Sequence, residues 1–109
     1  MAQMPIQHKE IHSSSGTTIS SLWDYINSLT EMQKDHLAIN CSITLSGSTY
    51  TILVRRSLAG VYEGYNSSSA AISVYVLTPT QLFVRSYGEG ITPTPNVATF
   101  NSWSASYSD

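Results

Sequence analysis

Charged side chains are scarce in this chain. They make up 11% of its 109 residues, against about 25% in an average soluble domain. After the first third of the chain only six remain, namely Arg55, Arg56, Glu63, Arg85, Glu89 and Asp109. The chain has five Lys and Arg residues and a net charge of −2. We therefore expect neither a nucleic acid nor an anionic membrane surface as a partner, because both require a basic face.

Disulfides, membrane spans and an export signal are also missing from the sequence. Its one cysteine, Cys41, cannot form a disulfide within the chain. No run of about 18 apolar residues is present, so no membrane span is predicted. The N-terminal segment MAQMPIQHKE lacks the apolar stretch of a signal peptide. We expect one domain, because chains of this length usually form one domain. Because a signal peptide is not recognised, we expect the chain to be made in the cytosol.

Groups that catalyse reactions or bind metals are few. Glu63 and Glu89 lie in turn-like segments, and a polysaccharide hydrolase would need them within about 5 to 10 Å of each other. We expect no enzyme and no cofactor. His8 and His12 have the i, i+4 spacing of a helical metal site but no third ligand nearby, so no metal site is predicted, although a metal between subunits stays open. Cys41 lies on an apolar strand face, which predicts a buried, inert thiol.

One amphipathic helix is predicted near the N-terminus. Residues 1–16 are polar and end in Ser-Ser-Ser-Gly, which predicts a flexible or extended arm. Thr17 or Thr18 can cap the helix that follows. Apolar side chains then recur at helical spacing, at Ile19, Leu22, Trp23, Ile26 and Leu29. The pattern predicts a helix from about residue 19 to a point between residues 29 and 34, with Trp23 packed on a sheet.

Strands are predicted for the remainder of the chain. Alternating or β-branched segments cover residues 37–45, 50–56, 61–65, 71–77, 82–87 and 97–107. A turn around Gly47 joins the first two segments into a hairpin. Without a second helix there is no crossover, so the sheet should be antiparallel. The predicted fold is α+β: residues 17–109 form one domain in which the helix packs on an antiparallel sheet or small β-sandwich of five to six short strands.

Tyrosine and tryptophan are the strongest candidates for recognition. These side chains combine a large apolar area with one polar group and are common at binding surfaces. The predicted contacts to a ligand or partner are Tyr62, Tyr65, Tyr87, Trp103 and Arg85. Some of the aromatic rings must belong to the core or to a subunit interface, and the sequence leaves both roles open. The strand arginines, Arg55, Arg56 and Arg85, could contact a glycan or a carboxylate, or could protect a sheet edge.

The layout of the chain resembles a known group of proteins. A Ser/Gly segment leads into the helix TTISSLWDYINSL, and the strands include GVYEGY at 60–65 and the tail ATFNSWSASY. Over residues 13–107 this resembles the C-terminal tip modules of bacteriophage tail fibres and related virion-surface proteins, including head-fibre and capsid-decorating proteins. The resemblance implies a virion location, a homotrimer, and binding of host-surface glycans or proteins. Residues 1–16 would then attach the module to other virion proteins.

A second class of function fits the same sequence. A small intracellular inhibitor or binding protein, encoded by a phage and acting on a host protein, would have this size, mild acidity and free cysteine. Such proteins often imitate nucleic acid with a dense acidic face. The seven Asp and Glu residues of this chain are dispersed, so they do not form such a face.

Overall fold

The chain folds as a curled antiparallel sheet with two short helices near its N-terminus. The computed structural model describes residues 10–45, 47–67, 71–88 and 95–108. The helices are α1 (Ile19–Asn27) and α2 (Glu31–His36). The strands are β1 (Ile11–Gly16), β2 (Ala38–Leu45), β3 (Ser48–Arg56), β4 (Tyr62–Ser67), β5 (Ala71–Leu77), β6 (Leu82–Gly88), β7 (Pro95–Val97) and β8 (Thr99–Ser108). The fold is mostly β, within the α+β class that the sequence predicts.

The strand order explains why the sheet curls. The order is β1-β8-β2-β3-β4-β5-β6-β7, with every pair antiparallel. Strands β7 and β8 lie near opposite ends of this order, yet only Ala98 separates them along the chain. One residue spans about 3.3 Å, less than the spacing of two neighbouring strands. The sheet must therefore bend until the end of β7 reaches the start of β8, which produces a half-barrel.

The antiparallel arrangement is confirmed, but the predicted number of strands is wrong. The described residues form eight strands rather than five or six. One extra strand comes from the Ser-Ser-Ser-Gly segment, which pairs with β8 from Ile11 opposite Ser108 to Gly16 opposite Trp103. The other arises because the last predicted segment divides at Ala98 into β7 and β8. Residues 1–9 of the predicted arm lie outside the described residues.

The prediction of one helix is also wrong. Helix α1 ends at Asn27, and the hydroxyl of Ser28 donates a 2.6 Å hydrogen bond to the carbonyl of Tyr25. A new helix starts behind Thr30, whose Oγ1 accepts the backbone N–H of Gln33 at 3.2 Å while the Gln33 side chain accepts the N–H of Thr30. The Ser28 bond marks the end of α1, and the reciprocal capping box begins α2. Short hydroxyl side chains favour such boundaries because they compete with helical backbone bonds.

Helix α1 covers the inner, concave face of the sheet. Thr18 caps the helix by accepting the N–H of Ser21 at 3.0 Å, as predicted. Leu22 and Ile26 are completely buried or nearly so. The buried strand side chains alternate with exposed ones and include Ile39, Cys41, Ile43, Ile52, Val54, Tyr62, Tyr75, Leu77, Leu82, Val84, Trp103, Ala105 and Tyr107. Burial of Cys41 raises the pKa of its thiol to about 12, so little thiolate forms near neutral pH.

Two indole rings connect α1 to different parts of the sheet. The Nε1–H of Trp103 on β8 donates to Ser21 Oγ at 2.9 Å, and the ring stacks on Tyr25 with centroids 5.6 Å apart. Trp23 is half-buried and donates from Nε1 to the carbonyl of Thr78 at 2.8 Å. Its ring meets Tyr62 edge-on at 5.2 Å. The helix is therefore held against both β8 and the β4–β6 half of the sheet.

Helix α2 is joined to β3 through Arg56. The guanidinium lies 2.6 Å from Glu31 Oε2 and 2.5 Å from Asp35 Oδ1, and it also donates to the backbone carbonyl of Glu31 at 2.9 Å. Hydrogen bonds from Arg56 and Lys34 lower the pKa of the Glu31 carboxyl. Because the Arg56 side chain is only 15% exposed and fully engaged, it serves the fold, unlike the other two strand arginines.

Candidate functional site

The outer, convex face of strands β3 to β7 carries a cluster of exposed apolar and charged side chains. Alternate residues of each strand point outward, and antiparallel register places them side by side. One such row runs across the sheet from Arg55 through Glu63, Val76 and Phe83 to Val97. A second row runs from Tyr65 through Val74 to Arg85. We call this surface the outer patch, consisting of Leu53, Arg55, Glu63, Tyr65, Val74, Val76, Phe83, Arg85 and Val97.

Large apolar side chains in the outer patch are open to solvent. Tyr65 is 66% exposed, Val97 63% and Leu53 48%. Scattered exposed apolar residues are ordinary on a protein surface, but a contiguous set on one sheet face marks a contact surface. These three side chains lie on three different strands, so the apolar area extends across the sheet.

Charged groups surround this apolar surface. The hydroxyl of Tyr65 donates a 2.6 Å hydrogen bond to Glu63 Oε1, which raises the pKa of Tyr65. The guanidinium of Arg85 lies over the ring of Phe83, with its Cζ 5.7 Å from the ring centroid. Among the described residues, neither Arg55 nor Arg85 has a carboxylate within 4.0 Å, unlike Arg56. The outer patch therefore offers two guanidinium groups to an incoming partner.

A shallow depression of about 410 Å³ forms part of the outer patch. Its lining includes Leu53 and Arg55 from β3, and Glu63 and Tyr65 from β4. Gly64 also contributes, and β4 passes so close to β3 there that a Cβ on this residue would overlap the carbonyl oxygen of Leu53. The missing side chain permits this approach, which shapes the depression.

The predicted contact residues separate onto the two faces of the sheet. Tyr65 and Arg85 lie on the outer patch and are exposed. Tyr62 and Trp103 point inward and are only 5% and 4% exposed, so they take the core role that the sequence left open. The separation of Tyr62 from Tyr65 follows from their spacing, because residues three apart on a strand face opposite sides. The side chain of Tyr87 lies outside the described residues.

Some residues of the outer patch were not predicted as contacts. Leu53 could have been identified, because the alternation of Ile52 and Val54 in β3 already directs Leu53 outward. Val97 could not, because its place beside Phe83 depends on the pairing of β6 with β7. No local pattern indicates that pairing.

The other half of the outer face, on β1, β8 and β2, has a different character. Ile11 at the start of β1 is a large outward side chain and is 76% exposed. The others are small and uncharged, and they include Ser13, Ser15, Ser104, Ser106, Asn40, Ser42 and Thr44. The β2–β8 register shifts between Ser42 and Ile43. Next to this shift, the Asn101 side chain donates to Thr44 Oγ1 at 3.0 Å. We call this surface the hydroxyl face. Apart from Ile11, it is suited to contact with water rather than to apolar contact.

Tyr62 presents an unusual buried hydroxyl. Its oxygen is buried and has no hydrogen-bond partner among the described residues, and burial raises the pKa of the phenol.

We expect Tyr62→Phe to leave the free energy of unfolding unchanged or to raise it by up to about 1 kcal/mol, because an unsatisfied buried hydroxyl is removed. Urea unfolding measures this. Tyr62→Ala is the contrasting variant and should cost about 3 kcal/mol through the cavity it leaves. A loss above about 1 kcal/mol in the Phe variant would show that the hydroxyl is bonded.

Two further structural findings concern the described residues. No group of three or more His, Cys, Asp and Glu side chains within them is arranged to hold a metal ion. His12 stacks on Tyr107 with ring centroids 4.9 Å apart, while His8 lies outside them. In the same part of the chain, no helix is long and apolar enough to cross a membrane.

The chain was also compared with known proteins. A scan against family models, a search of curated proteins and a search of solved structures each found no match. Its function is therefore inferred from the arrangement of its own residues.

Proposed function

We propose that this chain is a non-enzymatic structural protein of a bacteriophage virion: a fibre-tip, head-fibre or decoration module that binds a partner protein through the outer patch. The observation that carries the proposal is the outer patch itself, where Leu53, Tyr65 and Val97 expose apolar area beside two arginines without carboxylate partners among the described residues. Such a combination is typical of protein contact surfaces.

The composition supports a virion rather than a cytosolic enzyme. Most outward positions of the hydroxyl face carry Ser, Thr or Asn instead of charges, which agrees with the low overall charge of 11%. The layout of the helix and strands adds the resemblance to tail-fibre tips and other virion-surface modules. We propose that the N-terminal arm and the outer patch both contact other virion proteins. We also propose that the chain forms a homo-oligomer, with a trimer favoured by the resemblance.

The chemistry of the outer patch favours a protein partner over a glycan. A sugar ring could stack on Tyr65, but Leu53 and Val97 are aliphatic and offer a sugar hydroxyl nothing to bond. An apolar protein surface would cover both of them. Arg55 and Arg85 would pair with carboxylates on the partner, since guanidinium binds carboxylate through two parallel hydrogen bonds. The expected partner surface is therefore apolar with acidic side chains at its border.

The experiment that tests the proposal uses purified phage particles. We expect mass spectrometry to find the chain in a constant copy number per particle. The double variant Leu53→Ala/Tyr65→Ala should reduce that copy number at least about tenfold, because a few side chains, often aromatic ones such as Tyr65, carry most of the binding energy of an interface. Thr51→Ala is the matched control, since Thr51 is an exposed outward residue of the same strand, and it should have no effect.

Two results would contradict the proposal. One is the absence of the chain from purified particles together with a stable complex between it and a host protein, which would support the intracellular binding protein. The other is an unchanged copy number in the Leu53→Ala/Tyr65→Ala variant when that variant folds normally, which would remove the outer patch as the contact surface. Thermal unfolding of both variants checks their folding.

A further inference from the structure

The two edges of the sheet differ in how open they are to a further strand. The edge strands are β1 and β7. Strand β7 has three residues and begins with Pro95, which has no N–H to donate, and it continues through Ala98 into β8. Strand β1 has six residues and pairs with β8 in an unbroken register. Among the described residues, β1 is therefore the edge with enough length to accept another strand.

Within the part of the chain that the structure describes, strand β1 contains no lysine, proline or bulge and has no further strand on its outer side. Native sheets commonly protect an edge with lysine, proline, a bulge or a covering element, since the unpaired N–H and C=O groups otherwise recruit another strand. The sequence of β1 is IHSSSG. Its outward side chains, Ile11, Ser13 and Ser15, are exposed, and none is charged. The three central serines are small, so they do not obstruct the approach of a second backbone.

We infer that β1 pairs with β1 of a second copy of this chain, in antiparallel orientation around a two-fold axis. An antiparallel edge is complementary to itself, because its exposed N–H and C=O groups match those of an identical edge turned by 180°. An axis at Ser13 would place Glu10 opposite the second copy's Gly16 and Ile11 opposite its Ser15. No like charges meet in this register, which also uses the full length of the strand.

The inference goes beyond the proposed function and uses a different surface. Pairing through β1 would join two eight-stranded sheets into one and make the hydroxyl face continuous across the two-fold axis. The outer patch lies on β3 to β7, at the far side of each sheet, and stays open to a partner. A two-fold contact closes on itself and yields a dimer, so a trimer would require a surface other than this edge.

The test measures self-association of the purified chain by sedimentation equilibrium. We expect a concentration-dependent dimer for the natural sequence. Ser13→Lys should raise the dissociation constant about fivefold or more, because like charges opposite each other across a strand pair are destabilising. Ser104→Lys is the matched control, because it adds the same charge at an exposed position. Ser104 lies on β8, the next strand in from the edge. It should leave the dimer intact.

A charge swap and hydrogen exchange make the test specific to the edge. Mixing Ser13→Lys with Ser13→Glu should restore the dimer, because opposite charges then meet at the axis. Amides of β1 that face away from β8 should exchange slowly in the dimer and rapidly in the Ser13→Lys variant. A chain that stays monomeric at millimolar concentration would overturn the inference. Slow amide exchange of β1 in such a monomer would mean that another part of the same chain covers the edge. Equal effects of Ser13→Lys and Ser104→Lys would also overturn it. Neither measurement requires phage particles. A failure of the inferred β1 pairing can therefore be distinguished from a failure of the proposed function.

Discussion

Replacement of Trp103 by alanine is expected to lower the free energy of unfolding by about 3 to 5 kcal/mol. The indole is 4% exposed, stacks on Tyr25 and donates to Ser21 Oγ. It also covers Gly16, where an added Cβ would lie 2.6 Å from the indole nitrogen. One side chain thus connects β8, α1 and β1. A loss of this size would remove much of the stability of a small domain, which is typically about 5 to 15 kcal/mol.

Urea unfolding followed by circular dichroism would measure the effect of the Trp103 variants. Trp103→Phe should cost less than Trp103→Ala, because it keeps an aromatic ring in the core while losing the bond to Ser21. Tyr65→Ala is a suitable control, since Tyr65 is an exposed aromatic residue on the opposite face. It should change the free energy of unfolding by no more than about 0.5 kcal/mol. Equal losses in Trp103→Ala and Tyr65→Ala would show that Trp103 does not anchor α1.

The second large effect is expected at Gly64, which lies where β4 crosses closely over β3. A Cβ there would overlap the backbone carbonyl oxygen of Leu53, and a backbone atom cannot move aside as a flexible side chain can. Gly64→Ala should therefore force β3 and β4 apart and cost about 3 kcal/mol. It should also weaken the proposed partner binding through the outer patch, because Leu53 and Tyr65 line the same depression as Gly64.

Gly60→Ala is the matched control for Gly64→Ala. Gly60 has a φ of +85° but open space where a Cβ would lie, so its replacement costs only the left-handed backbone strain of about 1 kcal/mol. The comparison separates steric overlap at Gly64 from conformational strain at Gly60. A smaller loss for Gly64→Ala than for Gly60→Ala would mean that the two strands separate easily, in contradiction to the close approach described above.

Local patterns in the sequence were sufficient for most of the secondary structure. The helical spacing from Ile19 to Ile26 and its Thr18 cap predicted α1, and the alternation around Cys41 predicted β2 and its hairpin with β3. These succeeded because each depends on neighbours along the chain. The division between α1 and α2 was missed even though Thr30 and Gln33 form a recognisable capping box, since the apolar spacing continues to Leu29 and conceals the interruption.

Strand β1 shows where local patterns fail. Its Ser-Ser-Ser-Gly run has the composition of a loop, yet it forms an ordered strand because β8 supplies a pairing partner more than eighty positions away. Gly16 fits there because the Trp103 ring occupies the space that a side chain would need. Non-local pairing thus overrides composition, as is general for strands, whose stability comes mainly from cross-strand neighbours.

The candidate site was only partly accessible from the sequence for the same reason. Alternation along a strand determines which side chains share a face, so Tyr65 could be separated from Tyr62, and Leu53 from Ile52 and Val54. Alternation does not determine which face is covered by the helix. It was the packing of α1 against Trp103 and Tyr62 that buried two of the predicted contacts and left Tyr65 and Arg85 exposed.

The amino-acid sequence alone specified a charge-poor α+β domain with an N-terminal helix and antiparallel strands, because periodicity and composition act over a few residues. The tertiary structure decided the rest: the strand order, the curl imposed by the single residue Ala98 between β7 and β8, and the division of the outer face into a hydroxyl face and an outer patch. These features depend on contacts between residues distant in the chain, and such contacts are set by the packing of the whole core rather than by any local pattern.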